Sequence, residues 1–73
     1  MPDFKVDFSD ILADGTIVVR DLRTGKFKRL KVGDFAQTHD ATGNLCHGIV
    51  ERADDRSGLY WIALDRSTWK DAM

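Results

Sequence analysis

A chain of 73 residues with 42% apolar and 32% charged residues has room for one domain with a small core, and its ordinary globular balance argues against disorder. No apolar run approaches the roughly 20 residues that a membrane helix needs, and residues 1–5 show neither the basic start nor the apolar stretch of a secretory signal, so a cytoplasmic protein without membrane attachment is expected. Cys46 is the single cysteine, which excludes an intramolecular disulfide framework.

Taken in order, Phe4, Val6 and Phe8 alternate with Lys5, Asp7 and Ser9, the period-two pattern of a strand with one buried face. Ile11 and Leu12 add apolar content before Asp14-Gly15, a tight-turn dipeptide. A second strand is expected over residues 16–22, where Thr16, Ile17, Val18 and Val19 are β-branched throughout. Thr24-Gly25 then turns the chain, and residues 26–32 return as a third strand carrying Phe27, Leu30 and Val32, with a β-bulge near Lys28-Arg29 absorbing the slip in their spacing. Gly33-Asp34 reads as an entry turn. Residues 35–39 and 45–52 follow as two strands about a polar turn at 40–44, and Gly48 marks a place where a strand bends or another backbone comes close. After a polar loop at 53–58, residues 59–64 are apolar on both faces, so this strand is expected to be covered on both sides. Asp65 or Ser67 offers an N-cap for one short C-terminal helical turn, and Trp69 is expected to fold back over an open barrel end.

Short strands at spacings near ten residues, separated by turn signals, indicate an all-β barrel or sandwich. The layout of residues 32–64, with Val32-Gly33-Asp34 before a strand, a polar turn holding Asp40 and Gly43, then Gly48-Ile49-Val50, a loop and an apolar strand, resembles the SH3-like barrel superfamily that includes the KOW and Tudor modules. The resemblance implies a small five- to six-stranded SH3-like barrel, with residues 1–73 as its single domain. Where a Tudor-like module would present a cage of aromatic residues, Leu45-Cys46-His47 stand here, and Tyr60 and Trp61, as neighbours on one strand, point to opposite faces. The resemblance therefore carries the fold and no ligand.

Charge is unevenly placed. Residues 20–31 hold six bases, Arg20, Arg23, Lys26, Lys28, Arg29 and Lys31, against Asp21 alone, a net of +5, whereas residues 1–19 and 32–73 each carry −3. This basic hairpin, together with an exposed aromatic from Trp61 or Trp69, is the expected contact surface of a non-catalytic binding module whose partner is a protein or a second copy of the chain. The alternative is a nucleic-acid-associated module using the same six bases on phosphates, although a sequence pI near 6.0 is low for that class. His39, Asp40, Cys46 and His47 lie within nine residues, but Cys46 and His47 are adjacent on a strand and face opposite sides, so no metal site is expected. Asp54, Asp55 and Ser57 read as a solvated loop tip, since the alternating oxygen donors of a calcium loop are missing. No nucleophile, base or cofactor motif is present, and no enzyme, cofactor or small-molecule substrate is expected. Ile49 and Ile62, with most of the aromatic side chains, are assigned to the core.

Overall fold

Side chains alternate across a strand, so each strand of a short chain divides its residues between a buried face and an open one. The computed structural model describes residues 2–20 and 30–72. Within them five strands form one mixed sheet: β1 (Asp3–Lys5), β2 (Thr16–Arg20), β3 (Phe35–His39), β4 (Leu45–Asp54) and β5 (Leu59–Lys70), in the order β1-β3-β4-β5-β2. β1 runs parallel to β3 and every other pair is antiparallel. The all-β class follows from the β-branched and alternating segments, and β3 coincides with its expected span. No ladder joins β1 to β2 among the described residues, so over these residues the sheet is open. The two edges border a common cleft of about 740 Å³, with Phe4, Ile17 and Val19 among its lining and Asp3, Asp7, Asp10 and Asp40 set against Lys5 and Arg20. Among the described residues no helix is long and apolar enough to cross a membrane.

One face of the sheet holds the core. Phe4, Ile17, Val19, Ala36, Val50, Tyr60 and Ile62 are buried there with Leu30. The register stacks these positions: Val50 and Ile17 both lie opposite Ile62, and Val19 lies opposite Tyr60. Thr38 is fully buried, and its hydroxyl donates to the Cys46 carbonyl at 2.8 Å, so no polar atom is stranded there. Gly48 has a packing reason: a Cβ built on it would lie 2.5 Å from Ile62 Cγ2 and 2.6 Å from the Ala63 carbonyl oxygen. The close approach expected at this glycine is that of β5.

Four expected elements differ. The first strand ends at Lys5, because the Asp7 carboxylate accepts the Ser9 N–H at 2.9 Å and the Ser9 hydroxyl at 2.7 Å, turning Phe8–Asp10 into a 3₁₀ helix. Of the third strand, residues 26–29 lie outside the described residues, and Val32 stands not in a strand but in a turn closed by the Asp34 N–H on the Lys31 carbonyl at 3.0 Å. Gly33 there has φ 96°, a conformation that favours glycine, and Val32 is 66% exposed. The C-terminal helical turn is absent, since β5 continues to Lys70 and rejoins β4 at Leu45. The capping chemistry is nonetheless present, with Asp65 Oδ1 accepting the Ser67 N–H at 3.0 Å and its hydroxyl at 2.6 Å. It shapes an irregularity between two stretches of ladder, where β4 pairing outweighs the nucleation of an isolated helical turn. The double cover expected over residues 59–64 is also lacking. Tyr60 and Ile62 are buried, but Trp61 and Ala63, on the other face, are only half-buried, and Trp61 is overlain by the Arg52 guanidinium rather than by a second layer of the fold.

The same acid-based turn recurs with the sequence pattern Asp-x-Ser/Thr at Asp7, Asp14, Asp40 and Asp65. In each, Oδ1 accepts both the N–H and the hydroxyl of the residue two places on. The hydroxyl and then the N–H of Ser9, Thr16 and Ser67 hold Asp7, Asp14 and Asp65 below the ordinary aspartate value of 3.8. For Asp40 desolvation pushes upward, but hydrogen bonds from Asn44 and Thr42 together outweigh it and the net direction is also down. A carboxylate whose folded value is depressed contributes stability that is present above its unfolded value and lost as pH falls through the folded one. Urea denaturation as a function of pH is therefore expected to show a midpoint that falls as pH drops below about 3.8, where these four groups take up protons. A midpoint unchanged from neutrality through that range would contradict this role for the turns.

Candidate functional site

The outer face of the sheet carries side chains of a kind that an open face does not require. On β3 the outward residues are Phe35, Gln37 and His39, and on β5 they are Leu59, Trp61, Ala63 and Asp65. Pairing sets Phe35 opposite Ile49 and Ile49 opposite Ala63, and on the β5–β2 side Trp61 opposite Val18. An apolar band thus runs from β3 across β4 and β5 to the edge strand β2, with Phe35 63% exposed, Ile49 44% and Val18 39%. Isolated apolar residues on a surface are ordinary, but these lie on neighbouring strands.

A bulge in β4 completes the band. Val50 lies opposite Ile62, yet the next β5 residue, Trp61, is met by Arg52 rather than by Glu51. The extra residue brings Arg52 to the outer face, where its guanidinium lies 4.6 Å from the centre of the Trp61 ring. Stacking of this kind contributes about 0.5–1 kcal/mol at exposed sites and holds both side chains in one arrangement. Rigid aromatic and arginine side chains are the usual anchors of protein interfaces.

Past the band, the same face becomes polar. Asp3 Oδ1 lies 2.9 Å from His39 Nδ1 and accepts from Gln37 Nε2 at 3.4 Å, while Gln37 Oε1 lies 3.1 Å from His47 Nε2. Cys46 points the other way. It is 1% exposed, and its thiol lies 3.4 Å from the Asp65 carbonyl oxygen and 3.6 Å from that of His47. Cys46 and His47 thus occupy opposite faces, as their adjacency requires. No three side chains of His, Cys, Asp or Glu are grouped to hold a metal ion among the described residues.

The residues singled out from the sequence do not all meet. Arg23, Lys26, Lys28 and Arg29 lie outside the described residues. Arg20 is exposed at the end of β2, on the cleft between the sheet edges. Lys31 is exposed in the turn before β3, its N–H donating to the Asp34 carboxylate at 2.8 Å. The two tryptophans serve different surfaces. Trp61 belongs to the outer band, whereas Trp69, 39% exposed, packs edge-on against Phe8 at 4.8 Å and donates its Nε1–H to Asp71 at 2.8 Å. With Phe8, Ile11, Cys46, Leu64 and Arg66, Trp69 borders a separate cavity of about 520 Å³.

The sequence alone leaves Phe35, Ile49 and Val18 out of the site and assigns Phe35, with the other aromatic side chains, and Ile49 to the core, whereas both stand exposed on the outer face. A signal for Phe35 was available: Phe35, Gln37 and His39 share one parity and Ala36 and Thr38 the other, so Phe35 belongs with the polar set. Ile49 faces outward because Cys46, Gly48 and Val50 take the inward positions of β4. No family model, no curated protein and no solved structure matches this chain.

Proposed function

We propose that this chain is a non-catalytic protein-binding module that docks its partner on the outer face of the sheet. The observation that carries the reading is the exposed apolar band of Phe35, Ile49 and Val18, flanked by Trp61 under Arg52, on the face of the sheet opposite the core. The basic segment at residues 20–31, of which Arg20 and Lys31 are exposed, adds a positive rim that favours an acidic partner and speeds encounter. A finer fold reading, an SH3-like barrel with one open seam, is supported by the two sheet edges bordering a common cleft. A cytoplasmic setting belongs to the same reading and is supported by the single cysteine.

The density of bases in residues 20–31 favours a second reading, in which Arg20, Arg23, Lys26, Lys28, Arg29 and Lys31 contact nucleic-acid phosphates. Capture from nuclease-treated cell extract separates the two. The docking-face reading expects a protein that stays bound to the wild type at high salt, is lost with Phe35→Glu, and survives Lys28→Glu combined with Arg29→Glu. Recovery that disappears on nuclease treatment and with the double charge reversal, but not with Phe35→Glu, would replace it with the nucleic-acid reading.

A further inference from the structure

We infer that the partner of the outer face is a second copy of this chain, so that two sheets stack face to face into a β-sandwich dimer; the inference rests on the docking-face reading. The face is complementary to itself in charge, about an apolar centre. Phe35 stands out from it at 63% exposure, and directly beside it lies a shallow cavity of about 230 Å³ bordered by Phe35, His47, Ile49, Asp65 and Thr68. An isologous contact needs one patch that meets itself, and here that patch is apolar at its centre, with Phe35 its most exposed side chain.

Charge is arranged about the same centre. Along β5, Ala63 is flanked two residues away on one side by Trp61, which carries the Arg52 guanidinium, and two residues away on the other by Asp65. A two-fold axis lying along the row of Phe35, Ile49 and Ala63 reverses strand direction between the copies. It leaves Phe35 and Ile49 facing their own counterparts and sets Arg52 of each copy against Asp65 of the other, giving two symmetric ion pairs at the ends of an apolar centre. Stacked sheets sit about 10 Å apart, within reach of an arginine and an aspartate projecting from opposite sides. The Asp65 carboxylate is already oriented by Ser67, and the guanidinium by the Trp61 ring.

Sedimentation equilibrium on the purified chain tests this directly. The wild type is expected to be dimeric at about 100 μM, a concentration at which a dimer with a Kd of order 10 μM is mostly assembled. Phe35→Glu is expected to be monomeric with an unchanged far-ultraviolet circular dichroism spectrum. Arg52→Asp and Asp65→Arg should each weaken the dimer at least tenfold, since each sets like charges against one another twice. Mixing those two variants should restore a dimer, because opposite charges then meet at both ends. Asp65→Arg also removes the Ser67 contacts, so Phe35→Glu, which disturbs no turn, carries the test independently. A monomeric wild type, a dimer indifferent to Phe35→Glu, or folded charge variants that stay apart when mixed would overturn the proposal. If the wild type is monomeric yet still captures from extract a protein that Phe35→Glu loses, the second copy is excluded while the docking face stands.

Discussion

Gly48→Ala is expected to destabilise the protein by about 3 kcal/mol, the upper end of what overpacking costs, because one of the atoms it meets is backbone. The added methyl would lie 2.5 Å from Ile62 Cγ2 and 2.6 Å from the Ala63 carbonyl oxygen. Ile62 is fully buried, and Ala63 is held in the β4–β5 ladder opposite Ile49. Relief therefore requires β4 and β5 to separate. Those two strands form the longest ladder in the fold, and a chain of this size has only about 4–11 kcal/mol of total stability to draw on. Urea denaturation measures the effect, and a loss below about 0.5 kcal/mol would mean that β5 does not approach β4 as closely as the structure has it.

Ile62→Ala is the second large effect, expected at about 2–5 kcal/mol from lost transfer energy and the cavity left behind. Ile62 lies at the centre of the core, opposite both Ile17 and Val50, and has 0% exposure. Ile49→Ala removes the same side chain one rung away on the other face, where Ile49 is 44% exposed, and is expected to cost less than about 1 kcal/mol. Thermal or urea unfolding of the two variants side by side distinguishes the faces. Equal losses at protein concentrations low enough to keep the chain monomeric would show that the outer band is covered within the monomer.

Much of the scaffold could be read from local chemistry. Asp14-Gly15, residues 40–44 and Gly33-Asp34 form turns because short acidic side chains capture nearby backbone N–H groups and glycine takes the positive φ. Gly48 was legible as a close approach because glycine inside a strand otherwise weakens it. The C-terminal segment reads as a helical turn because Asp65 makes the contacts of a helix cap whether or not a helix follows, and only the distant pairing of Lys70 with Leu45 decides for a strand. At Phe8 the alternation of the first strand gives way for a related reason, since the Asp7 side chain caps a 3₁₀ turn there.

The candidate face was harder to see. Whether Phe35 and Ile49 face inward depends on which parity of β3 and β4 meets β5, a tertiary fact that hydrophobicity alone does not carry. The Arg52 to Trp61 contact depends further on the bulge that displaces Glu51, and no turn residue announces that bulge in the sequence. Trp61 was correctly separated from Tyr60 by strand alternation, yet its coupling to Arg52 required the structure.

The central claim, that binding is carried by an apolar face of the sheet rather than by the basic segment, is tested most directly by the salt dependence of affinity for the captured partner. A contact anchored on Phe35, Ile49 and Trp61 predicts a shallow slope of log affinity against log salt, with only the rim charges screened. A slope near −0.9 for each of several phosphates neutralised would assign the binding to the bases of residues 20–31 and contradict the account.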